Sequence, residues 1–191
     1  MDRYCDRREV SLEHYQLLGI TSVFIAAKYE EISPPSIEAL VDITAETYGR
    51  EQILRQEYHT LQVLEFDITV PTVYRFIERF CSLIQADQVN LHLACYLGEI
   101  AMLKTSMYRW LPSRVASASI YLARRMLLRA ERENSWPQTL QNNAGYTERE
   151  VRETARDICR CINVANRKRH YEPIFKKYRT NKFNNVSQIP V

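Results

Sequence analysis

Two charged residues stand where apolar residues are expected. Residues 17–27 carry no charge, yet Lys28 follows them at the end of the same helical stretch. Glu57 stands between Ile53 and Leu61 in the apolar stripe of another predicted helix. A carboxylate in such a stripe is unfavourable unless a partner pairs with it. Lys28 and Glu57 are therefore candidates to flank an apolar surface and to hydrogen-bond the backbone of a binding partner, since charge-assisted bonds are strong where water is excluded.

A plainer interpretation of the same two residues stays open. Lys28 could complement the negative end of its helix dipole, and Glu57 could be a solvated residue at the edge of its stripe. The binding interpretation requires that two packed helices bring the two side chains together.

No other residue pattern indicates catalysis, a metal or a cofactor. The four glycines stand alone along the chain, so they form no glycine-rich phosphate loop. The five cysteines contain no C-x-x-C and are expected to be free thiols in a reducing compartment. The four histidines have no metal-ligand spacing. We therefore expect a protein that is not an enzyme and uses no cofactor.

Composition indicates a globular protein with no membrane segment. The chain has 191 residues, a net charge of +3 and 26% charged residues. No charge-free stretch approaches the ~20 residues that a membrane span needs. The opening “MDRYCDRREV” is charged from its second residue, which is unlike a signal peptide. Neither a membrane nor a nucleic acid is predicted as a partner.

The apolar periodicity predicts helices almost throughout and no strand. “SPP” at 33–35 ends one of them, because proline cannot continue the hydrogen-bond ladder. Thr147 and Glu150 form a predicted capping box. The predicted helices cover 11–31, 36–43, 50–65, a segment from Val73 to Ile84, segments after Asn90 and Pro112, a segment from Thr147 to Ile162, and 171–178.

Two apolar helices have a similar pattern. “SVFIAAK” at 22–28 and “ASIYLAR” at 118–124 both combine small residues, bulky apolar residues, alanine and a base. A helix that is apolar on every side is typical of the centre of a bundle. The similarity between these two segments predicts two similar helical bundles in tandem, joined near residues 65–71.

These segments resemble the cyclin family over practically the whole chain. “YQLLGITSVFIAAKYEEISPPSI” resembles the third helix of the first cyclin box, and “REQILRQEYHTLQVLEFDITVPTVYRFIERF” resembles its fifth helix and the passage into the second box. “SWPQTLQNNAGYT” and “KKYRTNKFNNVS” resemble the closing half of mitotic A- and B-type cyclins, and “IAAKYEEI” leans towards the B type. The resemblance implies an all-α fold of two tandem cyclin-box helical bundles, the first incomplete at its N-terminus.

The resemblance also implies a function and its residues. A cyclin binds a cyclin-dependent protein kinase and activates it by moving a kinase helix inward, in the nucleus, the cytoplasm or both. Lys28 and Glu57 would hydrogen-bond the backbone beside that helix. The apolar wall against which the helix docks would consist of Ile25, Tyr29, Leu61, Phe66 and Ile68.

The chain departs from the family pattern at its N-terminus. “MDRYC” resembles the end of the second helix, so residues 1–70 would form a partial N-terminal cyclin box, and 71–191 the C-terminal box with a basic closing segment. The groove that docks substrates or inhibitors with short basic-hydrophobic motifs would keep only Gln16. Without a first helix, we expect exposure of the apolar side chains of Leu17, Ile20 and Phe24.

Two alternatives remain at this point. The basic, aromatic segment “RKRHYEPIFKKYRTNK” at 167–182 favours a nucleic-acid-binding transcription factor with a cyclin-type fold. Acidic residues alternate with the bases in “RAEREN” and “TEREVRETARD”, which favours a solvated surface instead. A transcriptional cyclin is the second alternative, and the “SWP”, “GYT” and “KKY” motifs favour the mitotic type over it.

Overall fold

The computed structural model describes residues 1–128, 135–165 and 171–190. Every regular element in these ranges is helical, as the periodicity predicted. The chain divides into two compact units, Met1–Val70 and Pro71–Val191.

The N-terminal unit contains four helices. They are α1 (Asp2–Arg7), α2 (Leu12–Glu30), α3 (Ile37–Ile43) and α4 (Arg50–Val63). Ser36 caps α3 by accepting a hydrogen bond from the backbone N–H of Ala39 at 3.2 Å. Ser11 stands at the N-cap position of α2, but its hydroxyl contacts Nδ1 of His14 at 2.8 Å and caps no backbone group.

The core of this unit lies where α2, α3 and α4 meet. Leu17 and Phe24 of α2 pack there with Ile37, Leu40 and Ile53. Leu17 and Phe24 are only 8% and 7% exposed, so the expectation that they are exposed is wrong. Positions 17 and 24 are two turns apart on one helix face, and that face packs on α3 and α4.

The exposed apolar residues of α2 lie on its other side. Ile20, the third side chain that was expected to be exposed, is partly buried against the same core. Leu12, Tyr15 and Val23 are exposed instead. Helix α2 therefore exposes an apolar face, as expected, but residues other than Leu17 and Phe24 form it, because α3 and α4 cover the face that bears those two residues.

The C-terminal unit contains six α-helices among its described residues. They are α5 (Val73–Leu83), α6 (Gln88–Met102), α7 (Pro112–Leu127), α8 (Gln138–Ala144), α9 (Glu148–Ala165) and α10 (Glu172–Tyr178). Short 3₁₀ turns occur at 105–109, 181–183 and 186–188. The periodicity did not predict α8 or these turns, since elements of one or two turns carry little apolar pattern.

Helix α7 lies at the centre of this unit. It packs against α5, α6 and α9, and each residue from Val115 to Ala123 is buried. Its small residues permit close approach. A Cβ atom on Gly98 of α6 would lie 3.2 Å from Ile77 and 3.6 Å from the Ser119 hydroxyl of α7. The prediction that 118–124 forms the centre of a bundle is confirmed.

Helix α9 begins as its sequence predicts. The Thr147 N–H donates to Oε2 of Glu150 at 2.8 Å, and the Glu150 N–H donates to the Thr147 hydroxyl at 3.4 Å. The predicted stripe of α9 lies in the core, with Val151, Ala155, Ile158 and Ile162 buried.

Candidate partner-binding site

Helices α2 and α4 bring Lys28 and Glu57 together. Lys28 lies in the last turn of α2, and its Nζ forms an ion pair with Oε1 of Glu57 on α4. The same ammonium lies 4.1 Å from the ring centroid of Phe24, which adds a cation–π contact. The pairing that the binding interpretation requires is present.

The two charges differ in exposure. The Lys28 side chain keeps 41% of its accessible surface, whereas the Glu57 side chain keeps 11%. Glu57 is thus a nearly buried carboxylate that is compensated by a half-exposed ammonium. An ammonium has three donors and a carboxylate about four acceptor sites, so both groups retain capacity for a partner's backbone.

The residues of the expected apolar wall are accessible to different degrees. Tyr29 and Phe66 are 50% and 61% exposed. Ile25, Leu61 and Ile68 are partly buried. Leu61 lies one turn after Glu57 on α4, and Ile25 lies one turn before Lys28 on α2. The sequence placed all these residues at the site, and their role in binding stays a prediction.

The turn after α4 presents Phe66 in an unusual backbone conformation. Glu65 and Phe66 have φ angles of 56° and 58°, a region that L-residues adopt at a cost. The Phe66 N–H donates to the carbonyl of Leu61 at 2.8 Å. The Phe66 ring is exposed at this turn. Because the backbone conformation is unfavourable, other contacts must stabilise the turn.

Helix α1 supplies that support, which the sequence reasoning missed. Arg3 donates to the carbonyl of Asp67 at 2.7 Å and to its carboxylate at 2.9 Å. Arg7 donates to the carbonyl of Val63 at 2.6 Å. Arg3 and Arg7 are four residues apart, which puts both side chains on one face of α1. This spacing in the sequence could have predicted that both arginines contact the same segment. The two guanidiniums thus hold the turn that carries Phe66.

Tyr29 contacts the segment that follows Phe66. Its hydroxyl lies 2.8 Å from the hydroxyl of Thr69, and its ring remains half exposed. Gln16, the expected remnant of a docking groove, is exposed on α2 beside the exposed ring of Tyr15.

The basic segment at 167–182 lies only partly within the described residues. Residues 166–170 fall outside them, as do residues 129–134, which carry “RAEREN”. Tyr171 and Tyr178 are buried in the core, so neither ring is free to stack on a nucleic-acid base. Lys177 pairs with Glu99 at 2.5 Å, and the Tyr178 hydroxyl donates to the same carboxylate at 2.7 Å.

Among the described residues, metal-binding groups, membrane-spanning helices or reactive thiols would each indicate another function. Within those ranges, no group of three or more His, Cys, Asp and Glu side chains could hold a metal ion. None of the helices that the structure describes is both long and apolar enough to cross a membrane. Burial raises the pKa of Cys81 to about 11 and that of Cys95 to about 12, so both thiols stay protonated at neutral pH.

Comparison with known proteins shows the same family at both ends of the chain. Residues 1–69 match the family described as “Cyclin, N-terminal domain”, and residues 71–191 match “Cyclin, C-terminal domain”. A viral cyclin from herpesvirus saimiri has the same fold, with a TM-score of 0.71 at 14% identity over 85% of this chain and 71% of that one.

Two relatives illustrate the similarity in sequence. The G2/mitotic-specific cyclin-A of Patella vulgata is 34% identical over 99% of this chain and 43% of its own length. The G2/mitotic-specific cyclin-B of Hydra vulgaris is 32% identical over 100% of this chain and 51% of its own length. The chain spans about half the length of these curated relatives. With both cyclin domains matched in their usual order and an all-helical fold, the chain belongs to the cyclin family.

Proposed function

We propose that this protein binds and activates a cyclin-dependent protein kinase in the control of G2 and mitosis. The observation that carries the proposal is the Lys28–Glu57 pair. Tyr29, which follows Lys28, and Phe66, in the turn after α4, both have exposed rings. The mitotic assignment is supported by relatives named G2/mitotic-specific cyclins of both the A and the B type. Under this proposal the protein acts in the nucleus, the cytoplasm or both.

The chemistry of the pair suits recognition of a helix end on the kinase. The ammonium can donate to backbone carbonyls and the carboxylate can accept from backbone N–H groups. Both groups are held in place before binding, because each already pairs with the other. Prior ordering lowers the entropic cost of association, so the contacts contribute more to affinity.

The apolar residues around the pair supply the remaining area. Tyr29 and Phe66 are large, exposed and held by hydrogen bonds of their own or of their turn. Aromatic residues of this kind dominate the energetics of many interfaces. A kinase helix that docks here would exclude water from the pair and strengthen its charge-assisted bonds.

Reconstitution with a purified, inactive cyclin-dependent kinase tests the proposal. The intact chain should form a complex and stimulate phosphorylation of a test substrate. The double variant Lys28→Ala, Glu57→Ala should lower affinity at least tenfold, about 1.4 kcal/mol, as measured by calorimetry.

A matched control is available in the same unit. Arg50 and Glu38 form an exposed ion pair at 2.7 Å with 66% of each side chain accessible. The double variant Arg50→Ala, Glu38→Ala removes the same charges and should leave affinity within about twofold. If both double variants bind equally well, the pair at α2 and α4 is not the kinase contact.

The apolar contacts give a second readout. Tyr29→Ala and Leu61→Ala should weaken the complex with little dependence on salt, because they remove apolar contact rather than charge. A strong salt dependence of either loss would contradict the assigned roles.

A further inference from the structure

A groove in the C-terminal unit is lined by four arginines. It lies between α7 and α9, has a volume of about 730 Å³, and takes Arg125 from α7 and Arg152, Arg156 and Arg160 from α9. Its other lining residues are uncharged. We refer to this cavity with its four guanidinium groups as the arginine groove.

Tyr121 orders two of the four guanidinium groups. Arg125 donates to the Tyr121 hydroxyl at 3.1 Å, and Nε of Arg152 donates to it at 3.3 Å. The hydroxyl itself donates to the Glu148 carboxylate at 3.2 Å, and Arg152 also pairs with Glu148 at 2.7 Å. The buried Tyr121 side chain therefore holds the guanidinium groups of Arg125 and Arg152 on the same side of the groove.

The positive charge of the groove is only partly balanced. Glu148 pairs with Arg152, and Asp157 pairs with Arg160 at 2.9 Å. In the part of the chain that the structure describes, Arg125 and Arg156 form no ion pair. The three α9 arginines also follow one another at intervals of four, a spacing at which like charges destabilise a helix. An anion in the groove would relieve both effects.

The floor of the groove is apolar. Leu122 and Ala155 are buried there beneath the arginines. The third floor residue, Cys159, is partly buried, and this burial raises the pKa of its thiol, which therefore adds no negative charge at neutral pH. The groove thus combines surplus cations with a small apolar surface.

We propose that the arginine groove binds a phosphorylated segment of a partner protein. The guanidinium groups would hold the phosphate through paired N–H···O bonds, for which arginine has the matching planar geometry. An apolar side chain next to the phosphorylated residue would rest on Leu122 and Ala155.

The shape of the groove favours this ligand over other polyanions. A concave cavity of this size accommodates one phosphate with one or two side chains. Duplex DNA and bilayer headgroups present broad surfaces and would require a basic face that extends beyond a single cavity. The residues of the arginine groove lie in the C-terminal unit and Lys28 and Glu57 lie in the N-terminal unit, so separate variants test the two proposals.

The test uses the intact chain and an array of phosphoserine peptides, each with an unphosphorylated twin. The strongest phosphorylated binder is then measured in solution by fluorescence anisotropy. It should bind at least tenfold more tightly than its twin. Arg156→Glu should reduce its affinity at least tenfold, because Arg156 has no partner to lose among the described residues and contributes only charge.

Arg149→Glu provides the matched control. Arg149 is exposed on the same helix and does not line the groove, so the same change in charge there should alter affinity less than twofold. The Lys28→Ala, Glu57→Ala variant should bind the peptide normally, which separates a failure here from a failure of the kinase proposal.

Three results would overturn the proposal. One is an array in which no peptide prefers its phosphorylated form by more than threefold. Another is an equal loss of binding in the Arg156→Glu and Arg149→Glu variants, which would indicate nonspecific attraction. The last is tighter, Arg156-dependent binding to phosphatidylserine vesicles or to duplex DNA, which would assign the groove to that polyanion instead.

Discussion

Helices α2 and α7 share a short apolar pattern, at 22–28 and 118–124, but they lie in different environments. Val23 and Ser119 are the second residues of these two segments. Val23 is 56% exposed, whereas Ser119 is 0% exposed. Helix α7 packs against α5, α6 and α9, whereas the described neighbours of α2 cover one face. An apolar helix is therefore buried only as far as its neighbours extend, and its own pattern does not reveal how many neighbours there are.

The difference also separates the two candidate binding surfaces. The end of α2 carries a base, Lys28, that pairs with an acid on α4 and is followed by the exposed ring of Tyr29. The arginine groove combines four arginines with an apolar floor. The first surface has balanced charge and suits a neutral backbone, whereas the second has surplus positive charge and suits an anion.

The largest expected effect comes from overpacking the centre of α7. Ala118 is fully buried, so Ala118→Leu should destabilise the C-terminal unit by about 3 kcal/mol. Ala26 on α2 is exposed, and Ala26→Leu should change stability by less than about 0.5 kcal/mol. Urea denaturation measures both. Equal effects would mean that the two helices are equally enclosed in solution.

Replacing Asp157 should have the next largest effect. This largely buried carboxylate accepts from Arg109 at 2.6 Å and from the Trp110 indole at 3.1 Å. Asp157→Asn should therefore cost about 2 kcal/mol at pH 7, since hydrogen bonds to charged groups contribute about 1.5–3 kcal/mol.

The cost of that substitution should depend on pH. Burial alone would raise the pKa of Asp157, but the hydrogen bonds from Arg109 and Trp110 outweigh burial and lower it below its ordinary value of 3.8. A lowered folded-state pKa stabilises the protein above the ordinary value, and this contribution is lost as pH falls through the folded-state pKa. The difference between wild type and Asp157→Asn should shrink below about pH 3.8. A difference that stays constant to pH 2 would contradict the ionic role.

The Lys28–Glu57 pair should matter less for stability than for binding. Because the double variant Lys28→Ala, Glu57→Ala leaves no unpaired carboxylate in the nearly buried position of Glu57, it should cost no more than about 1 kcal/mol in thermal unfolding. A loss well above this value would mean that the pair is chiefly structural, and the binding assay with that variant would then need a correction for unfolding.

The smallest effect is expected on the open face of α2. Val23→Lys should change the free energy of unfolding by less than about 0.5 kcal/mol, because the side chain already contacts water. It should also reduce self-association in sedimentation, since an exposed apolar face favours aggregation. A cost above about 1.5 kcal/mol would show that this face is covered in solution.

The sequence predicted the positions of most helices better than the burial of their side chains. The predicted boundaries of α3 and α9 agree with the structure to within one residue at their N-terminal ends, because Ser36 and the Thr147–Glu150 pair are local caps. The burial of Leu17 and Phe24 was predicted wrongly, because the packing of α3 and α4 on α2 depends on distant segments. The short helix α8 escaped notice because seven residues contain too few turns for a period.

The sequence by itself determined the helical class, the family and the identity of the residues around Lys28 and Glu57, because periodicity, caps and family motifs are readable over short stretches. The tertiary structure decided that this base and this acid form a pair. It also decided that α1 holds the turn bearing Phe66, and that arginines from α7 and α9 share one groove. These features join segments that are far apart in the chain, and only the packing of helices brings such side chains within a few ångströms.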